Sequence, residues 1–204
     1  MSGTHRARIF LTGVGGQGTL TATTLLARVA VDQGVEVVAG EIHGMAQRGG
    51  VVESAIALGG WKSPKIGLGE ADILLGFDLM ETQRALPYLR AGGAVFSGLE
   101  MLPPPGVLTG REKAPDEVVI KAAIETAAGR AWYVPIRAIG VDLGAPQIGN
   151  IALLGAVCAS GLLPFDFAAL EAGIRKHLPA RQAEANVRAA CLGRDAVRGG
   201  QTAH

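Results

Sequence analysis

The chain has 204 residues, of which 49% are hydrophobic and 18% charged, with a net charge of +1. This composition excludes a disordered chain, and the length suits one well-buried domain. The small net charge, without a basic cluster, gives no reason to expect a nucleic-acid partner, and no apolar run reaches the roughly 18 residues that span a membrane.

The first half of the chain alternates predicted strands with predicted helices. Residues 7–12 are predicted to form a buried strand, 18–33 a helix and 35–41 a second strand, with Gly34 ending the helix. This strand–turn–helix–strand order predicts a right-handed parallel crossover. The apolar stripe of the helix is predicted to contain Leu20, Leu25, Leu26 and Val29. Further strands are predicted at 51–58, 71–77, 94–98 and 132–136, and further helices at 79–90 and 115–128.

The last quarter of the chain changes character. The turn-rich stretch 59–70 and the proline-rich stretch 101–110 are predicted to be loops, because proline continues neither a helix nor a central strand. Three successive helices are predicted at 146–160, 165–179 and 180–193, followed by a loose tail. These patterns predict an α/β protein: a Rossmann-like, mostly parallel sheet flanked by helices, with a helical C-terminal segment at about 145–195.

A glycine-rich turn follows the first predicted strand. Gly13, Gly15 and Gly18 fit the pattern G-x-G-x-x-G, and Gly16 and Gln17 complete the stretch GVGGQG. A helix that begins at such a turn offers free N–H groups to a phosphate or carboxylate. Glu41 lies 23 residues after Gly18 (41 − 18), near the spacing of about 20 typical of a ribose-binding acid. Two alternatives stay open: a turn without a ligand, and a turn that packs against a partner protein.

A second loop, EIHGMAQRGG at 41–50, follows the second predicted strand. Because carboxyl ends of neighbouring parallel strands meet at one edge, this loop is expected beside the glycine turn. Arg48 suits bidentate binding of a phosphate or carboxylate, and His43 suits hydrogen bonding or titration near neutral pH. The alternatives are a surface charge for Arg48, an ordinary hydrogen-bonding histidine, and a turn acceptor for Glu41.

The two cysteines, Cys158 and Cys191, lie far apart in predicted helices. They are expected to be buried thiols, because a disulfide framework or an iron–sulfur cluster needs more cysteines than these. Any electron carrier is therefore expected in another protein. The polar lead passes directly into a strand without a signal-peptide core, which predicts a cytoplasmic protein.

The two loops together resemble those of the gamma-type subunit of 2-oxoacid:ferredoxin oxidoreductases, and within that family the beta subunit of the indolepyruvate type. GVGGQG at 13–18 and HGMAQRGG at 43–50 match the family's patterns, the second being the more specific. The resemblance continues through SPKIGLGEADILLGF, LPYLRAGG, LGAPQIGNIALLGA and EANVRAACLG, so it covers nearly the whole chain. Thr19 departs from the valine expected after the last glycine.

The resemblance implies one gamma-type domain, residues 1–204, in a heteromeric enzyme. Such enzymes oxidatively decarboxylate a 2-oxoacid, here an arylpyruvate, to an acyl-CoA and CO₂ while reducing ferredoxin. Thiamine diphosphate, magnesium and iron–sulfur clusters are expected in a large alpha subunit, with coenzyme A the group that this chain contacts. No catalytic residue and no metal site is assigned to this chain, which is expected to be inactive and to self-associate when isolated.

The resemblance assigns cofactor or partner contacts to the two loops and to one later residue. Asn150 corresponds to the asparagine of the family's P-x-x-x-N-x-x-L-L-G stretch, here PQIGNIALLG. If Arg48 binds a CoA phosphate, Arg48→Ala should raise the KM for CoA; if it holds the interface, the change should weaken assembly. The assigned residues are Gly13, Gly15, Gly16, Gln17, Gly18, Glu41, His43, Gln47, Arg48, Gly49, Gly50 and Asn150.

Three other functions are compatible with the sequence. One is a gamma subunit of a pyruvate, 2-oxoglutarate or phenylglyoxylate oxidoreductase, which the chain separates poorly because the substrate reacts on the partner. Another is a stand-alone NAD-dependent dehydrogenase, which depends on the glycine turn and Glu41. The third is a regulatory nucleotide-binding module. In the subunit interpretation, the apolar helices at 146–192 and the second loop are the expected partner contacts.

Overall fold

The computed structural model describes residues 6–42, 50–103, 105–111, 113 and 116–199. Within these residues six strands form one sheet in the order β2-β3-β1-β4-β5-β6. Strands β1, β4, β5 and β6 run parallel, whereas β3 is antiparallel to both of its neighbours. The predicted α/β, mostly parallel architecture is confirmed.

The helices and strands have the following bounds. The strands are β1 Ala7–Val14, β2 Val37–Ile42, β3 Val51–Leu58, β4 Ala71–Gly76, β5 Leu89–Gly98 and β6 Arg130–Val134. The helices are α1 Thr19–Asp32, α2 Leu79–Arg84, α3 Pro105–Leu108, α4 Glu117–Ala127, α5 Ile136–Asp142, α6 Asn150–Ala159, α7 Phe167–His177 and α8 Ala180–Gly199.

The order of the first three strands differs from the prediction. β2 runs parallel to β1, but β3 lies between them and pairs with both. The cause is the short connection 43–50, because a parallel crossover needs a dozen or more residues and a shorter link returns the chain antiparallel. The spacing of the second and third strands therefore contained a signal for the antiparallel direction of β3, but not for its position between β2 and β1.

The sheet is covered by helices on both faces. One face packs against α1, α6 and α8, with α7 packed on these helices, around a large core that includes Ile9, Leu11 and Phe96. The other face packs against α2 and α4 around a smaller core that includes Phe10. Leu20 of the predicted apolar stripe is 42% exposed, because it lies at the outer side of α1.

The expectation that the apolar C-terminal helices contact a partner is wrong for α6. Nine of its ten residues, Asn150–Cys158, are buried in this chain's own core. Its glycine allows close packing: a Cβ atom on Gly155 would overlap the Ala190 carbonyl of α8. Gly193 of α8 meets the Ala152 carbonyl of α6 in the same way. The two helices therefore contact each other along their backbones.

Several boundaries also differ from the prediction. The helix predicted at 79–90 ends at Arg84, a 3-10 turn follows at Leu86–Tyr88, and β5 begins at Leu89. Proline at position 87 explains the early end, because it cannot donate the next helical hydrogen bond. The strand predicted at 132–136 occupies 130–134, and α5 was not predicted. Pro105 begins the short helix α3, the position where proline is tolerated.

Candidate functional site

The glycine turn, residues 13–18, joins the carboxyl end of β1 to the start of α1. Gly16 and Gly18 adopt left-handed conformations, with φ of 97° and 79°, that disfavour any residue with a Cβ atom. A Cβ atom at Gly13 would lie 2.9 Å from Gln17 Oε1, so this position also requires glycine. The shape of the turn therefore explains these three glycines before any ligand is considered.

Two amide side chains hold the glycine turn in place. Gln17 Oε1 accepts a hydrogen bond from the Val14 N–H at 2.7 Å. Asn150, only 8% exposed at the start of α6, donates from Nδ2 to the backbone carbonyl of Gln17. Gln17 and Asn150 thus have partners within the chain, and their contacts with a ligand remain a prediction.

The first turn of α1 favours an anion. Gly18 precedes the helix without a side-chain cap, and the first turn contains no acidic residue. The Thr19 hydroxyl is buried and has no hydrogen-bond partner among the described residues. Free N–H groups and the positive end of a helix dipole attract a phosphate or carboxylate at such a place.

A crevice of about 170 Å³ opens beside the glycine turn, where the parallel strands β1 and β4 end side by side. The chain leaves β1 into α1 on one face of the sheet and leaves β4 into α2 on the other. Ligands of open α/β sheets bind where connections diverge in this way. The crevice is lined by Gly16, Gln17, Phe77, Glu100, Leu102, Ile136, Arg137, Pro146, Gln147 and Asn150.

Two charged residues of the crevice were missed by sequence reasoning. Glu100 Oε1 accepts a hydrogen bond from the Arg137 backbone N–H, and Glu100 Oε2 is buried without a partner among the described residues. Burial raises the pKa of Glu100, and the Arg137 N–H opposes that shift. The Arg137 side chain is exposed. Its position shortly after β6 was the only available signal, and no motif singled it out.

The start of β3 contacts the glycine turn. The Gly15 N–H donates a hydrogen bond of 2.8 Å to the Gly50 carbonyl. The second loop is therefore anchored beside the first at its last residue, as expected, although an antiparallel strand rather than a parallel one brings them together. His43, Gln47, Arg48 and Gly49 lie outside the described residues, and their assignments remain predictions.

Glu41 does not lie beside the glycine turn. It pairs with Ser54 of β3, which in turn pairs with Leu11 of β1, so two strand spacings, roughly 10 Å, separate Glu41 from β1. It borders a different groove, of about 620 Å³, between β2 and α1. A ribose-binding acid needs a strand adjacent to the glycine turn. The geometry therefore gives no support to the dehydrogenase alternative.

The remaining reactive groups that the structure describes are two cysteines and scattered acidic and histidine side chains. Burial raises the pKa of the Cys158 thiol, which makes it a poor nucleophile. Cys191 is half-buried rather than buried. Among the residues that the structure describes, no group of three His, Cys, Asp or Glu side chains is placed to hold a metal ion. In the same part of the chain no helix is long and apolar enough to cross a membrane.

The sequence is similar to a family of oxidoreductases over almost its whole length. The family model described as pyruvate ferredoxin/flavodoxin oxidoreductase matches residues 8–196. The chain is 33% identical over 181 residues to the indolepyruvate oxidoreductase subunit IorB of Methanothermobacter thermautotrophicus, covering 89% of this chain and 92% of that protein.

The fold is also found in solved structures. The gamma subunit of a keto/oxoacid ferredoxin oxidoreductase from Geobacter sulfurreducens superposes with a TM-score of 0.69 at 22% identity, covering 95% of this chain and 99% of that chain. A 2-oxoglutarate:ferredoxin oxidoreductase from Magnetococcus marinus, with 2-oxoglutarate, coenzyme A and succinyl-CoA bound, gives a TM-score of 0.69 at 15% identity. The match covers 98% of this chain and 32% of that chain. These similarities concern the fold alone.

Proposed function

Because this chain belongs to the pyruvate ferredoxin/flavodoxin oxidoreductase family, we propose that it is the accessory, gamma-type subunit of an indolepyruvate:ferredoxin oxidoreductase. The enzyme oxidatively decarboxylates an arylpyruvate with CoA, giving an acyl-CoA, CO₂ and two electrons for ferredoxin. The whole chain, residues 1–204, forms one gamma-type domain, and the complex is cytoplasmic. Its partner is a large alpha subunit that holds thiamine diphosphate, magnesium and the iron–sulfur clusters.

The observation that supports an accessory role is the chemistry of the crevice. Its polar groups are the backbone of the glycine turn, amides, one carboxyl and one guanidinium. Nucleophilic catalysis uses an activated Ser, Thr, Cys, Lys, His or Tyr or a carboxylate, and the described lining residue of these kinds is Glu100, whose Oε1 already accepts the Arg137 N–H. Such a crevice is suited to binding and positioning a group whose bonds change on another subunit.

We propose that the group bound at the crevice is a phosphate-bearing part of coenzyme A. The uncapped start of α1 and the exposed guanidinium of Arg137 are donors of the kind that bind phosphate. A volume of about 170 Å³ is below the range of roughly 300–1,000 Å³ that encloses a drug-sized ligand. This chain therefore supplies one wall of the site, and the alpha subunit completes it.

The subunit assignment is tested by isolating the chain from its native cells with an affinity tag. We expect a large iron-containing, thiamine-binding protein to co-purify at a fixed ratio, and the complex to reduce ferredoxin with arylpyruvates faster than with pyruvate, 2-oxoglutarate or phenylglyoxylate. The purified chain alone should show no turnover. Elution of this chain without iron or a partner, or turnover by the chain alone, would contradict the assignment.

The coenzyme A proposal is tested with Arg137→Ala in the assembled enzyme. Loss of a charge-assisted hydrogen bond to phosphate, worth about 1.5–3 kcal/mol, should raise the KM for CoA by at least about tenfold. Decarboxylation of the 2-oxoacid measured without CoA should not change.

Arg130→Ala is the matched control, because Arg130 begins β6 and so lies at the amino end of the parallel strands, away from the crevice at their carboxyl ends. It removes the same charge and should leave the KM for CoA unchanged. An unchanged KM in Arg137→Ala, or an equal rise in both variants, would place CoA elsewhere.

A further inference from the structure

A cluster of polar side chains lies on the α2 side of the sheet, and the proposed CoA site does not use it. Thr12 of β1 is fully buried, and its hydroxyl has no hydrogen-bond partner in the described part of the chain. Glu53 of β3 stands directly opposite Thr12 in the antiparallel register, so the two side chains share one face. Phe10 and Ala55, the next such pair, pack together against α2 on this same face.

Glu81 of α2 lies near enough to this pair for the Glu53 carboxylate to interact with it electrostatically. It is 6% exposed, and only one of its carboxylate oxygens is paired: Oε1 accepts a hydrogen bond from Arg84 Nη1 at 2.6 Å. Its Oε2 is buried and has no partner among the residues described. We name these three residues the Thr12–Glu53–Glu81 pocket. It contains two carboxyl groups and a hydroxyl.

The burial of Glu81 is enforced by the packing of α2. Thr82 lies so close to Gly76 of β4 that a Cβ atom there would overlap its hydroxyl. The Thr82 hydroxyl also donates to the Asp78 carbonyl at 2.7 Å and lies 2.9 Å from Ser97 Oγ. Because α2 is held against the sheet in this way, Glu81 cannot reach water without disrupting several buried contacts.

The electrostatics of the pocket are unfavourable for two carboxylates. Burial raises the pKa of Glu81, the neighbouring Asp78 and Glu53 carboxylates raise it further, and Arg84 opposes the shift. Burial also raises the pKa of Glu53. Arg84 is more than half exposed, and both Asp78 oxygens already accept backbone N–H groups of α2 and Leu102. Within the described residues, the two carboxyl groups thus have no buried cation beside them.

We propose that the Thr12–Glu53–Glu81 pocket receives the guanidinium or ammonium group of a basic side chain from the alpha subunit. Such a group is cationic and donates several hydrogen bonds, which matches unpartnered carboxylate and hydroxyl oxygens. A metal ion fits less well, since magnesium requires about six oxygen ligands and the described residues offer no group of three ligating side chains.

The position of the pocket supports a subunit as the source of the cation. Thr12 and Glu53 lie near the carboxyl end of β1, as the glycine turn does, since Val14 and Val51 are paired two residues further along. Glu53 is only partly buried, so the pocket is open at this edge. This inference therefore depends on the proposed function, in which the alpha subunit covers the same edge to complete the crevice.

The pocket is tested by measuring both assembly and the stability of the isolated chain. Glu81→Gln keeps the size of the side chain and removes its charge, and we expect it to weaken binding to the alpha subunit at least tenfold. The thermal midpoint of the isolated chain should stay the same or rise, because an uncompensated buried carboxyl has been removed. Glu53→Gln should act in the same direction.

The pH dependence gives a second measurement. A carboxyl with a raised pKa loses its charge as the pH falls through that value, so wild-type assembly should weaken on acidification. In Glu81→Gln this dependence should become shallower. For the isolated chain the sign is opposite, since protonation of a buried carboxyl stabilises the fold, and the wild type should gain stability as the pH falls while the variant gains less.

Glu117→Gln serves as the control, because Glu117 pairs with Lys121 on the exposed side of α4. It should leave assembly unchanged. Three results would each overturn the pocket as a partner site. One is that Glu81→Gln binds the alpha subunit as tightly as the wild type does, and another is that Glu117→Gln loses as much affinity as Glu81→Gln. The third is a large fall in the thermal midpoint of the isolated Glu81→Gln chain. Failure of the proposed function is distinguishable, because the wild-type chain would then not bind an iron-containing alpha subunit at all.

Discussion

Gly193→Ala is expected to destabilise the chain by about 3 kcal/mol or more, because the added methyl group has no space. A Cβ atom at Gly193 would overlap the backbone carbonyl of Ala152, and backbone atoms of a packed helix cannot rotate away as a side chain can. Gly155→Ala, which meets the Ala190 carbonyl, should have a similar effect. Chemical or thermal unfolding of the purified variants measures this loss.

Gly199→Ala provides the matched control in the same helix. A Cβ atom there would meet nothing within 4 Å, so the change should be neutral or stabilise the helix by up to about 1 kcal/mol. If Gly193→Ala unfolds at the same denaturant concentration as the wild type, α6 and α8 must be able to separate. In that case their close packing would not be a main source of stability.

Gly18→Ala is expected to lower the kcat/KM for CoA of the assembled enzyme by about tenfold or more. The left-handed backbone at Gly18, with φ of 79°, costs a residue with a Cβ atom about 1–2 kcal/mol. The new Cβ atom would also lie 2.8 Å from Asn150 Nδ2, so it would push away the amide that holds the Gln17 carbonyl. Both effects change the shape of the glycine turn at the crevice.

A double-mutant cycle separates the two effects. In an Asn150→Ala background the contact with the amide is absent. There, Gly18→Ala should lower kcat/KM for CoA only by the amount that backbone strain causes. Gly16→Ala isolates strain in another way, since φ is 97° there but nothing lies within 4 Å of the added Cβ atom. Strictly additive effects of Gly18→Ala and Asn150→Ala on kcat/KM would show that the Asn150 contact does not position the turn.

Much of the fold could be predicted from local patterns. Strand β3 was placed at 51–58 to the residue, and α1 and β4 to within one residue at each end, whereas α6 begins four residues later than predicted. These elements have strong apolar patterns bounded by glycine or polar turns, which report local structure directly. Prediction failed at α5 and at the end of α2, where the signal is short and proline or glycine interrupts it.

The candidate site was predicted in part. The glycine turn and Asn150 were identified from the sequence, and the structure joins them through the Gln17 carbonyl, 133 positions apart in the chain. Arg137 and Glu81 were missed, because neither belongs to a recognisable local pattern. Glu81 reads in the sequence as an ordinary helix residue, and only the contact of α2 with Gly76 buries it.

The fold class, the turn that begins α1 and the family of the chain follow from the sequence, because each depends on residue types at fixed local spacing. The position of β3 between β2 and β1, which places Glu41 away from the glycine turn, depends instead on tertiary contacts. Tertiary contacts also decide which helix surface is hidden and which carboxyl groups are buried. Strand order and burial depend on contacts between distant segments, and local periodicity contains no information about which segments meet.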